Sequence, residues 1–229
     1  MDTKDLDWPG WPVEDNPAKG ELGPDARRRM VEGSKALLPF LEKYRNGAGD
    51  RILEIGPFFH PLITQESFPD AKISYWENDV HALRYLKEKY GENIFFISRA
   101  DNPLQFLSLC SKERNEDGLF DSVIISQVLN YMDYQPFLLE LKAIIKAEGI
   151  IFINNVINYG LSRLMSGKRP KSIRETIETA EKTGYDVIEK DTFEPPKKNK
   201  DRRLILVLRN RHGSSGLRNS AGKDTIFWH

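Results

Sequence analysis

The chain is short of several things, and each shortage excludes something. It has a single cysteine, Cys110, so there is no internal disulfide and no cysteine-clustered zinc site. Its four histidines, His60, His81, His212 and His229, show no metal-ligand spacing, so no metal centre is expected. It has no charge of one sign in excess, with 34 basic and 34 acidic residues. No global field therefore draws it to nucleic acid or to a lipid surface. No run approaches the roughly 18 apolar residues of a membrane span. The opening Met1-Asp2-Thr3-Lys4-Asp5 is polar, without the apolar core of a signal peptide behind it. A cytoplasmic protein is expected, with no membrane or nucleic-acid partner. The sequence does not indicate an oligomeric state.

What is present is a chain of 229 residues, 39% hydrophobic, which suits one domain with appendages. Residues 1–24 have a loop composition, yet Trp8 and Trp11 sit in "WPGWP". These tryptophans either cover a core edge or form part of a lid over a pocket. Met30, Leu37, Leu38, Leu41 and Tyr44 repeat with helical spacing over 25–45, and Pro39 should kink or split that helix. From residue 51 strands and helices alternate. Strands are expected at 51–55, 72–77, 93–98, 120–126 and 149–155. Helices are expected at 80–90, 103–112 and 133–147, the last stopped by Gly149. This alternation implies right-handed crossovers and a parallel sheet. The ending differs. A helix over 172–183 opens on a capping box, Ser172 with Glu175, and stops at Gly184. Strands at 185–193 and 203–209 follow with only a polar turn between them, so they must pair antiparallel. Residues 1–49 are expected to be a helical segment with a lid, 50–210 the core domain, and 211–229 a flexible tail.

In an open parallel sheet, ligands bind at the carboxyl ends of the strands. The first strand, Ile52-Leu53-Glu54-Ile55, carries a carboxylate and ends at Gly56, where the backbone can approach a ligand closely. The second ends in Trp76-Glu77-Asn78-Asp79. Glu77 follows Gly56 by about 20 residues, the interval expected of an acid that accepts from ribose hydroxyls. Asp101 follows the third strand and suits an adenine amino group, but Asp before Asn-Pro is also ordinary helix-start chemistry. The fourth strand ends in Ser126-Gln127-Val128-Leu129-Asn130-Tyr131.

The order "ILEIG", "YWEND", "RADN", "FDSVIISQVLNYMD", "GIIFINNV" and the closing hairpin resembles the class I S-adenosylmethionine-dependent methyltransferases over residues 50–210. The resemblance implies a Rossmann-like α/β fold: a seven-stranded, mostly parallel sheet with one antiparallel strand and helices on both faces. It implies S-adenosyl-L-methionine as cofactor, held by Glu54, Gly56, Phe58, Glu77, Asn78, Asp101, Gln127 and Val128. It also implies transfer of a methyl group to a small-molecule oxygen or nitrogen. His60, Tyr131 and Tyr159 are the candidates for a general base. The chain departs from the family at its first loop, "GPFFHP", where later glycines are replaced by a bulkier and stiffer run. Three rival readings remain. A nicotinamide dehydrogenase would want G-x-G-x-x-G, which is absent. A nucleic-acid or protein methyltransferase would use the basic residues Arg163, Lys168, Arg169, Lys171 and Arg174. A catalytically inactive binding protein would account for the altered first loop.

Overall fold

The computed structural model describes residues 31–44, 51–77, 79–91, 94–96, 119–129, 134–157, 172–193 and 203–211. Expectations for Trp8, Trp11, the 103–112 helix, Tyr131, Tyr159, Asn78, Asp101 and the tail beyond 211 lie outside these residues, as do those for the basic residues 163–171.

Seven strands form one sheet: β1 (Arg51–Ile55), β2 (Lys72–Glu77), β3 (Ile94–Phe96), β4 (Phe120–Ser126), β5 (Ile145–Val156), β6 (Tyr185–Phe193) and β7 (Arg203–Asn210). Their order is β3-β2-β1-β4-β5-β7-β6. The pairs from β3 to β5 are parallel, and β7 runs antiparallel to both β5 and β6. The closing hairpin is therefore inserted with β7 inside and β6 at the edge, which gives the expected single reversed strand.

Period-two alternation sends side chains to opposite faces. Leu53, Ile55, Val123, Ile125, Ile151, Ile153, Leu204, Leu206 and Leu208 face one way. They pack against helix α3 (Tyr134–Leu141) through Phe137, Leu138 and Leu141, and against α4 (Ile173–Lys182) through Ala180. Ile52, Ile73, Tyr75, Ile124, Phe152, Ile205 and Val207 face the other way. There they meet Leu37 and Leu41 of the N-terminal helix and Leu86 of α2 (Val80–Tyr90).

Several local signals act as expected. Ser172 Oγ accepts from the Glu175 amide at 3.1 Å, so α4 starts on its cap. Gly91 and Gly184, at φ +88° and +87°, end α2 and α4. The N-terminal helix splits before Pro39: a 3-10 turn at Lys35–Leu37 leads into α1 (Leu38–Lys43), with the proline in the first turn, where its missing N–H costs no helical bond.

One expectation fails. The apolar series Leu138, Leu141, Ile144, Ile145 suggested a helix over 133–147 stopped by Gly149. The helix ends at Leu141 and β5 begins at Ile145. Ile144 carbonyl accepts from the Phe120 amide at 2.8 Å, and Ile145 pairs with Phe120. Two consecutive β-branched residues suit a strand better than a fourth helical turn. Gly149 lies inside β5, at an irregularity where the register jumps from Phe120–Ile145 to Ser122–Ile150. Glu148 there turns to φ +62°, and a Cβ on Gly149 would sit 3.0 Å from the Asp121 carbonyl.

Candidate functional site

The strand order reverses between β1 and β4, and the switch point of such a sheet is where ligands bind. Register assigns the residues there. Ile55 pairs with Trp76 and with Ile125, so Glu77, Gly56 and Ser126 stand side by side at the carboxyl edge. Ser126 pairs with Asn154, extending the row to β5.

Gly56 turns the chain off β1 at φ +67°, and its amide donates to the Trp76 carbonyl at 2.7 Å. A Cβ there would lie 2.5 Å from Val128 Cγ2. Gly56 and Val128, both expected beside the ligand, thus meet across the switch point, and any side chain at 56 would be strained and would have to displace Val128.

The loop after Gly56 is held at both ends by buried carboxylates. Glu54 is buried, at 2% exposure. The Leu62 amide donates to both its oxygens, at 2.8 and 3.0 Å, and the Ile63 amide to Oε2 at 3.3 Å. Glu54 therefore ties down the far end of the loop. Burial pushes its carboxyl up to about 8, against the downward pull of the Leu62 and Ile63 amides, and the nearby Glu77 charge adds to the rise. Tyr75 hydroxyl donates to the Ile63 carbonyl at 2.7 Å. Phe59, 1% exposed, is driven into the core and stacks edge-on against Tyr85, with Phe58 edge-on to Phe59 in turn.

Glu77, 3% exposed, ends β2 with both oxygens engaged. Oε2 accepts from the Phe58 amide and Oε1 from the Asp79 amide, each at 2.8 Å. A carboxylate is an acceptor-only group, and these two amides set its orientation beside Gly56. Phe58 makes its bond from the left-handed region, at φ +55°. For a bulky residue that is an outlier worth ~1–3 kcal/mol, of the kind that gathers at functional sites. Gln127, at φ +63°, is a second on the opposite side of the switch point.

His60 lies in the same loop, its amide donating to the Pro57 carbonyl at 3.1 Å. Burial lowers its pKa, and Lys89 and Lys35 lower it further, so the imidazole is neutral at pH 7. Among the described residues, no group of three or more His, Cys, Asp or Glu side chains is placed to hold a metal. No described helix is long and apolar enough to cross a membrane.

The sequence reading missed the contribution of the N-terminal helix and of β5. Ser34 Oγ lies 2.8 Å from Ser126 Oγ and accepts from Gln127 Nε2 at 3.2 Å. Asn154, fully buried, donates from Nδ2 to the Gly33 carbonyl at 2.6 Å. A Cβ at Gly33 would collide with the guanidinium of buried Arg203. The available signal was "NN" at the end of "GIIFINNV": two amides in an otherwise apolar strand need partners.

No protein-family model matches the chain, and no curated protein sequence does. Solved structures do. The N-methyltransferase NodS of Bradyrhizobium japonicum, in complex with S-adenosylhomocysteine, matches with a TM-score of 0.57 at 14% identity, over 87% of this chain and 94% of that one. The 1,6-didemethyltoxoflavin N1-methyltransferase of Burkholderia thailandensis matches at 0.54 and 15%, over 80% and 79%. The cyclase SpnF matches at 0.56 and 13%, over 79% and 82%. At such identities the likeness is one of fold, and structures of this fold carry more than one reaction. The chain has the fold of the class I S-adenosylmethionine-dependent methyltransferases.

Proposed function

We propose that the chain binds S-adenosylmethionine at the carboxyl ends of β1, β2 and β4 and transfers its methyl group to an oxygen or nitrogen of a small molecule. One observation carries the reading. A buried carboxylate, Glu77, stands at the end of β2 beside a glycine that has no room for a side chain, at the reversal of strand order. An acceptor-only group in that place suits the paired hydroxyls of a ribose.

The residues present fit the cofactor. Glu77 would accept from the ribose hydroxyls, and Gly56 would let the backbone approach the methionine moiety, with Val128, Gln127 and Phe58 as the neighbouring residues that would help to hold it. Glu54 acts through the loop, keeping Leu62 and Ile63 in place. Asn78 and Asp101 remain candidates by sequence for the ribose and adenine. The cofactor, when bound, supplies an electrophilic sulfonium methyl. The chain's own contribution is positioning, worth up to ~7–11 kcal/mol in well-oriented reactions. His60, neutral at pH 7, is able to take a proton from a protonated nucleophile. Tyr131 and Tyr159 stay as alternatives for that role.

Calorimetric titration with S-adenosylmethionine and S-adenosylhomocysteine tests the reading. Wild type should bind both, and Glu77→Ala should lose at least tenfold in affinity while remaining folded by circular dichroism. Equal affinity in a folded Glu77→Ala protein refutes the ribose assignment. Binding without methyl transfer to any acceptor would leave a cofactor-binding protein rather than an enzyme.

A further inference from the structure

Ser34 lies far from the strand-end motifs in sequence, yet it sits among them in space. Its hydroxyl bridges two consecutive residues at the end of β4, Ser126 through Oγ at 2.8 Å and Gln127 through Nε2 at 3.2 Å. Gln127 is the residue held at φ +63°, and its amide is locked to the Asn154 carbonyl at 2.6 Å. Asn154 in turn donates from its side chain to the carbonyl of Gly33, the residue before Ser34. The four residues close a ring: helix to β4, β4 to β5, β5 back to helix. Val128, next along from Gln127, is the side chain that meets Gly56.

From this ring we infer that Ser34 is a positioning residue for the cofactor site, acting through Gln127. The inference rests on the proposed function for its ligand but not for its geometry. A left-handed glutamine costs free energy, and contacts that exist only in that conformation must hold it there. Two of them come from the strand-end ring, through Ser34 and the Asn154 carbonyl. With the Ser34 hydroxyl gone, Gln127 relaxes, and Val128 no longer has one fixed position against Gly56. The first described turn of the N-terminal helix is thereby coupled to the methionine end of the site. Coupling is reciprocal, so bound cofactor should in turn protect the helix.

Ser34→Ala, Ser34→Thr and Lys43→Ala separate this from a general loosening of the helix. Lys43 bonds Glu189 on the surface at the other end of the same helix. Two readouts are taken on the full chain: hydrogen exchange of the Gln127 amide, and affinity for S-adenosylhomocysteine. Ser34→Ala should speed Gln127 exchange and weaken affinity by about tenfold, the scale of one or two net hydrogen bonds. Ser34→Thr, which keeps the hydroxyl, should restore both, and Lys43→Ala should change neither. Wild-type exchange and affinity in Ser34→Ala overturn the inference, as does an equal loss in Lys43→Ala. If wild type itself binds no S-adenosylhomocysteine, the proposed function fails, and Gln127 exchange alone decides: faster in Ser34→Ala supports the positioning role, unchanged refutes it.

Discussion

Replacing Gly56 with alanine tests the contact between the ends of β1 and β4. Two separate costs are expected. The residue sits at φ +67°, where an L side chain costs roughly 1–2 kcal/mol. The new Cβ would also lie 2.5 Å from Val128 Cγ2. Carbon atoms at rest stand about 3.5–4.0 Å apart, so Val128 must retreat by about 1 Å or more. Forced repacking of that kind costs ~1–3 kcal/mol. The sum is about 2–5 kcal/mol, a large share of the ~5–15 kcal/mol that holds a domain folded. Urea unfolding of Gly56→Ala, Val128→Ala and the double variant separates the two costs. Val128→Ala removes Cγ2, so the double variant keeps the backbone penalty and loses the clash. A favourable coupling of ~1–3 kcal/mol between the two positions is the expected outcome. Additive variants would show that the β1 and β4 loops do not meet here. A Gly56→Ala cost below about 0.5 kcal/mol would refute the strained turn as well.

Glu54 supplies a pH signature. Its folded carboxyl is pushed up to about 8, well above an unfolded glutamate near 4.3, so the folded state keeps a proton that the unfolded chain has lost. Its stabilisation is complete below the unfolded value and fades as pH rises towards 8, by about 1.4 kcal/mol per unit at most. Unfolding free energies of wild type and Glu54→Gln from pH 5 to 8 should differ in slope, the variant being flatter; parallel curves would show that Glu54 is ionised in the fold. Phe59→Ala should cost ~3–5 kcal/mol, because the ring is fully enclosed and anchors the loop against Tyr85. Phe58→Ala should cost far less, since that ring is only half-buried. Equal losses in chemical denaturation would mean that the loop is not anchored by Phe59.

Much of the fold was legible because its determinants are local. Alternating apolar runs marked β1, β2 and β4, and Ser172 and Gly184 marked the two ends of α4. The short polar turn before β7 required a reversed strand. Locality also explains the error at 133–147, where an apolar series fits a helix and a strand equally and the pairing of Ile145 with Phe120 decides between them. Glu54, Gly56 and Glu77 were legible as residues that needed a reason. Their partners were not, because the amides of Leu62, Ile63 and Phe58 bear no mark in the sequence.

By itself, then, the sequence determined the alternating α/β plan, the glycine at the end of β1 and the acid at the end of β2, all carried by patterns within a few residues of one another. Tertiary structure alone decided that both carboxylates hold the first loop, that Gly56 abuts Val128, and that Gly33 and Ser34 close on Gln127, Asn154 and Arg203. Glu54 reaches amides only eight and nine residues along the chain, and the other contacts join segments 19 or more residues apart. They exist only once strand order and register bring the carboxyl ends of β1, β2, β4 and β5 into one row.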